Sequence, residues 1–235
     1  MLYDMTISGK LNENTVVVVS DIHGQIAHLD NLLDQVIGTD AQVVFVGDYI
    51  DRGEHGIEVL KRVRSLCERP HEWGLTKVTA LLGNHEKMAL DAVDDVLLDT
   101  YDTSNTQLWL RNGGRIEELM AIAQGFYGWL RSLPTYYEHD KQVYWRHKGD
   151  VKKLFVAHAS VQPRVPAHTI PLDTLVWDRQ RVGYGEDYLT VTGHTMCKLG
   201  QPEVYHTSSG TLVRIDTGAA VGDDIAGLVL ECLHP

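Results

Sequence analysis

Apolar runs and segments of helical period alternate through the first half of the chain. Residues 16–19 are a β-branched run ending at Ser20-Asp21, and residues 42–46 are a second run ending at Gly47-Asp48. Runs this short, bounded by polar turn residues, predict buried strands. Between them Ile26, Leu29, Leu32, Leu33 and Val36 fall at helical spacing. One helix face is therefore apolar, and a strand–helix–strand opening makes the two strands parallel. The alternation continues with a helix over residues 56–68, a strand over 78–82 and a helix over 86–98.

Residues 99–113 are polar and lead into Asn112-Gly113-Gly114, after which residues 116–123 and 126–133 regain a helical pattern that stops at Pro134. This section predicts a helical cap in the middle of the chain. From Tyr136 onward the texture changes to strand-like runs at 153–156, 189–192, 211–215 and 225–230, separated by Gly and Pro turns. No repeat, low-complexity stretch or linker divides the two textures. The expected architecture is one domain over residues 1–235, of α/β class, with two packed mixed β-sheets flanked by helices.

Composition narrows the functions available. An apolar share of 43% with 23% charged residues excludes disorder for the bulk of the chain. The formal net charge, 21 − 32 = −11, excludes nucleic-acid binding through the overall field. Cys67, Cys197 and Cys232 are odd in number and lack C-x-x-C spacing. That argues against a disulfide framework or a cysteine zinc site and makes a reducing cytoplasm the expected compartment. No basic segment followed by a long apolar one opens the chain, and no run reaches the ~18 apolar residues of a membrane span. No membrane partner is expected.

Three strand ends each deliver a polar cluster: Asp21-Ile22-His23-Gly24, then Gly47-Asp48-Tyr49-Ile50-Asp51-Arg52-Gly53, then Gly83-Asn84-His85-Glu86. Sites in open α/β sheets form at the carboxyl ends of strands. Asp, Asn and His supply oxygen and imidazole donors suited to divalent manganese, iron or zinc. His158 and His194 also follow apolar runs. Singly, each cluster is a turn with a solvated imidazole; five in this order form a metal-site pattern. Two decoys fail. His85-Glu86-Lys87-Met88-Ala89 lacks the second histidine of a zincin helix, and Asp216-Thr217-Gly218 lacks the partner aspartate of an aspartic protease. The latter is read as a structural turn, with a supporting role behind the ligands as the alternative. Neither a dinucleotide fingerprint nor a P-loop is present.

Together these motifs resemble those of metallophosphoesterases of the phosphoprotein phosphatase type, and are most similar to small bacterial and bacteriophage lambda-like phosphatases. The resemblance takes in W-L-R-N-G-G at 109–114, L-V-W-D-R at 175–179 and I-D-T-G-A-A-V-G at 215–222, and spans residues 16–231. It implies the calcineurin-like sandwich fold and two divalent metal ions, manganese first, with iron or zinc as alternatives. Asp21, His23 and Asp48 would hold one ion, and Asp48, Asn84, His158 and His194 the other, with Asp48 as the bridge. Arg52 and Arg179 would clamp phosphoryl oxygens. His85 would protonate the leaving alkoxide, with Asp51 orienting its imidazole. His28, His55, His71, His139, His147, His168, His206 and His234 receive no role.

The sequence departs from the common pattern at two places. Glu54-His55 follows Arg52-Gly53 where proline is frequent, and Ala157-His158-Ala159-Ser160 stands where V-H-A-G is usual. The activity implied is phosphomonoester hydrolysis, with serine/threonine phosphoproteins leading and small phosphoesters also accepted. A symmetrical dinucleoside polyphosphate hydrolase is the alternative. A silent metal-binding adaptor is disfavoured by intact Asp48, Asn84, His85 and Arg52.

Overall fold

A computed structural model of the chain describes residues 1–7, 9–97, 103–145 and 149–233. Among the described residues ten strands form, β1 Leu2–Asp4, β2 Thr15–Val19, β3 Gln42–Phe45, β4 Lys77–Ala80, β5 Tyr136–Trp145, β6 Asp150–Ala157, β7 Tyr188–Thr192, β8 Glu203–Thr207, β9 Gly210–Arg214 and β10 Gly227–Cys232. The helices are α1 Ile26–Leu33, α2 Gly56–Glu68, α3 Asn84–Leu97, α4 Ser104–Arg111, α5 Ile116–Ala121, α6 Tyr127–Arg131 and α7 Leu172–Trp177, with a π-helical turn at Ile122–Phe126.

The strands run in the order β4-β3-β2-β10-β5-β6-β7-β9-β8, with β1 pairing beside β10. β2, β3 and β4 are parallel, as the strand–helix–strand pattern requires. β6, β7 and β9 form a second parallel group. The halves meet in a two-residue ladder, Glu231 with Tyr144 and Cys232 with Val143. The expected pair of mixed sheets is thus joined along one edge.

Alternation along β2 and β3 divides the core. Val17, Val19, Val43 and Phe45 face α1 and α2 and pack on Leu29, Leu32, Val59 and Val63. Val16, Val18, Val44 and Val46 face the other way and pack on Leu154, Val156, Leu189 and Val191 of the second group. Strands buried on both faces read as continuous apolar runs, and this is why their sequences carry no polar alternation. The outer face of the second group is covered by the α7 segment through Phe155, Leu175 and Val176.

Several elements were not legible. α4 lies within the segment read as polar, because Trp109 is its buried residue and a helix anchored at one point shows little apolar periodicity. α7, β1 and β8 are short, and β5 is broken by a register shift between Glu138 and Gln142. The expected helix over 86–98 begins at Asn84, and its last residue, with His147 and His234, falls outside the described residues. The middle helices form the expected cap.

Candidate functional site

Parallel pairing brings Val19, Phe45 and Ala80 level, so the turns after β2, β3 and β4 open at one end of the sheet. The turns are laced together by backbone bonds. Ile22 and His23 donate to the Asp48 carbonyl at 2.9 Å each, and Gly24 donates to Tyr49 at 2.9 Å. Gly24 and Gly53 touch so closely that a Cβ on Gly24 would lie 2.8 Å from the Gly53 backbone. His23, Asp48, Asp51, Arg52 and His194 all hold positive φ, a conformation that costs energy for residues other than glycine.

Glu86 locks this arrangement from below. Its fully buried carboxylate accepts N–H groups from Asp48 at 2.8 Å, Tyr49 at 2.7 Å, Ile50 at 3.3 Å and Gly83 at 3.1 Å. Burial, reinforced by Asp48, pushes its pKa up to about 7. Sequence reasoning placed this residue in a motif without giving it a role. Its signal was a carboxylate inside an apolar helix face, a place that demands partners.

Three imidazoles each commit one nitrogen to a backbone carbonyl. His23 Nδ1 lies 3.1 Å from the Ile50 carbonyl, His158 Nδ1 3.1 Å from Val46, and His194 Nε2 3.1 Å from Trp177. Their other nitrogens face oxygens. His158 Nε2 and His194 Nδ1 each lie 2.9 Å from Asn84 Oδ1, and His158 Nε2 is 3.4 Å from Asp48 Oδ1. His23 Nε2 is 3.6 Å from Asp48 Oδ2. Lone pairs turned on lone pairs, with the second nitrogen fixed by a carbonyl, are the disposition of metal-ligating histidines.

Two donor groups meet within 4.8 Å, His23–Asp48–His85 and Asp48–His158–His194, and Asp48 belongs to both. The expected ligands His23, Asp48, Asn84, His158 and His194 are therefore brought together. Asp21 is buried beside them, with its carboxylate accepting the His194 N–H at 3.0 and 3.2 Å. Burial pushes the Asp21 carboxyl well up, and Asp216 and Asp48 push it further. Burial disfavours charge on His158, but Asp48 outweighs it and pushes the imidazole up to about 9. Burial lowers His23 to about 4 and His194 to about 3, which keeps both neutral and able to donate a lone pair. Crowded carboxylates with the neutral His23 and His194 imidazoles fit divalent cations, and a cation beside Asp48 would take the place of the proton that His158 holds.

His85 differs from those three. Its Nδ1 lies 2.6 Å from Asp51 Oδ2, and its Nε2 is free to face Asp48 Oδ2 at 4.0 Å. Trp109 Nε1 donates to both Asp51 oxygens at 2.9 Å. Burial opposes a charge on His85, but Asp48 and Asp51 outweigh it and hold its pKa above the usual value. A cavity of about 210 Å³ opens over the cluster and is lined by Asp48, Arg52, His85, Arg179, His194 and Asp216, among others. Arg52 and Arg179 are exposed at its rim, and the Arg52 N–H is held by the Gly113 carbonyl at 3.1 Å. The turn at Asp216, read as structural with a supporting role as the alternative, puts a buried carboxylate on the cavity wall.

The profile of calcineurin-like phosphoesterases matches residues 15–198. Serine/threonine-protein phosphatase 1 of Salmonella typhimurium is 33% identical, covering 73% of this chain and 71% of that protein. The symmetrical bis(5'-nucleosyl)-tetraphosphatase of a Janthinobacterium species is 30% identical over 42% of this chain and 38% of that protein. A solved protein described as a diadenosine tetraphosphatase superposes with a TM-score of 0.60 at 19% identity, covering 94% of this chain and 93% of that one. Among the described residues no helix is long and apolar enough to cross a membrane.

Proposed function

Since the chain belongs to the calcineurin-like phosphoesterase family, we propose that it is a metal-dependent phosphomonoester hydrolase acting on serine/threonine phosphoproteins. The observation that carries this reading is the convergence of two donor groups on Asp48 beneath a cavity that also holds His85, Arg52 and Arg179. Asp21, His23 and Asp48 would hold one divalent cation, and Asp48, Asn84, His158 and His194 the second, manganese being the first choice. Bound there, the cations would supply Lewis acidity at the phosphoryl oxygens and an acidified water as nucleophile.

The chain's own groups do the rest. Arg52 and Arg179 direct planar forks at the phosphoryl oxygens and orient the ester. His85, raised by Asp48 and Asp51, carries a proton on Nε2 and delivers it to the leaving oxygen. Asp51 takes the Nδ1–H and fixes the tautomer, and Trp109 fixes Asp51. Glu86 holds the Asp48–Ile50 backbone in its strained turn. Three free cysteines suit the cytoplasm, where we place the protein.

Hydrolysis of symmetrical dinucleoside polyphosphates is the second reading, favoured by the similarity to the Janthinobacterium enzyme. Manganese-loaded protein given equimolar phosphoserine peptide and diadenosine tetraphosphate separates the two. Inorganic phosphate with dephosphorylated peptide supports the first, and ADP with intact phosphopeptide replaces it with the second.

A further inference from the structure

Arg214 closes β9 at 3% exposure, and none of the catalytic roles uses it. Burying a guanidinium is costly, so its partners indicate what it is for. They are backbone carbonyls: Nη2 donates to Arg179 at 2.7 Å and to Gln180 at 3.2 Å. The Tyr205 ring lies 5.6 Å from the guanidinium carbon, and its hydroxyl is held by Glu203. A second strut reaches the same place, since Ser160 Oγ donates to the Gln180 carbonyl at 3.4 Å. Ser160 is where the chain departs from the usual glycine. At the other end of this segment His194 Nε2 bonds the Trp177 carbonyl, and Asp178 Oδ1 accepts the Arg179 N–H at 2.8 Å. Residues 177–180 are therefore tied down at each step, while the Arg179 side chain lines the cavity.

We propose that Arg214 is a positioning residue for Arg179, holding the backbone of residues 179–180 in place, with Ser160 as a weaker strut. An arginine on a free loop must give up backbone as well as side-chain freedom when it grips an anion. Fixing the backbone beforehand removes that part of the cost and leaves more of the interaction for binding. The segment held this way starts at Trp177, whose carbonyl faces His194 Nε2. The proposal rests on Arg179 acting as a phosphoryl clamp in the proposed function.

The test is a double-mutant cycle on manganese-loaded protein, reading inhibition by inorganic phosphate together with kcat and KM for p-nitrophenyl phosphate. Arg179→Ala is expected to weaken phosphate inhibition by about tenfold, the scale of one lost charge-assisted contact. Arg214→Met should weaken it by about fivefold in the parent and raise KM more than it lowers kcat, yet add less than about 1.5-fold once Arg179 is alanine. Arg214→Lys, which keeps a cation able to reach one carbonyl, should recover part of the loss. Ser160→Gly should give about a twofold shift that also vanishes without Arg179. If Arg214→Met does not fold, Arg214→Lys and Ser160→Gly complete the cycle. Shifts of equal size with and without Arg179, or none at all, overturn the positioning role while the clamp stands. Unchanged phosphate inhibition in Arg179→Ala removes the clamp itself and the proposal with it.

Discussion

The two parallel groups of strands furnish the site in different ways. β2, β3 and β4 end in dense runs of functional residues, with Asp21 and His23, Asp48 to Arg52, and Asn84 to Glu86 packed into three adjoining turns. β6, β7 and β9 contribute single side chains: His158, His194 and, two residues past β9, Asp216. Four of the five site residues with positive φ, His23, Asp48, Asp51 and Arg52, lie in the first group. The first group therefore carries both the reactive geometry and the strain needed to hold it, while the second completes the donor set from firmly buried strands. A site divided this way concentrates its sensitivity to substitution in the turns of one sheet.

The largest effect is expected where the halves meet. Asp48→Asn removes the shared charge and should lower manganese-dependent turnover by about 10³-fold, the scale of losing one electrostatic stabiliser in a dry site. Substantial residual activity would mean that the groups do not share this residue.

The next substitution separates acid from ligand within the first group. His85→Asn should cost about 10²-fold with an alkyl phosphate and far less with p-nitrophenyl phosphate, whose leaving group needs little protonation. Equal losses with both esters would remove His85 as proton donor.

Glu86→Gln tests the strain directly. An amide in place of the carboxylate points N–H groups at backbone N–H groups that now have an acceptor. A stability loss of about 3 kcal/mol in urea denaturation is expected, with the clustered donor side chains untouched. A loss under about 0.5 kcal/mol would show that the turns hold their geometry without it.

Trp109→Phe should be mildest, keeping the ring in the core but removing the N–H to Asp51. A fall of about fivefold in kcat for alkyl phosphates with KM unchanged would follow from a looser Asp51–His85 pair, since a single neutral donor is worth about 1 kcal/mol. A matching rise in KM would point to disturbed substrate binding instead.

Contiguity explains what the sequence disclosed. Asp48, Asp51 and Arg52 stand within five residues and Asn84 adjoins His85, so chemistry and spacing could be read at once. His158 and His194 each sit alone, and their place after apolar runs, together with the resemblance, distinguished them from the eight histidines left without a role. Glu86 belongs to a legible motif, but its four donors come from residues 48, 49, 50 and 83, and that convergence exists only after folding. Arg214 was illegible for the same reason. Its partners are carbonyls of residues 179 and 180, and backbone acceptors leave no mark in a sequence. β2 and β3 were legible because burial on two faces makes them almost continuously apolar, while β4, β6, β7 and β9, which carry lysine, threonine or arginine, showed shorter apolar stretches. α4 was not legible, because it is fixed to the core by Trp109.

The donor cluster offers two divisions of roles. His85 joins His23 and Asp48 in a convergent donor group, whereas the proposed mechanism makes Asp21 the ligand and His85 the acid. Counting bound manganese by elemental analysis after gel filtration, in the parent, Asp21→Asn and His85→Asn, decides between them. The mechanism predicts two ions per chain in the parent and in His85→Asn, and one in Asp21→Asn. One ion in His85→Asn with two retained in Asp21→Asn would contradict it.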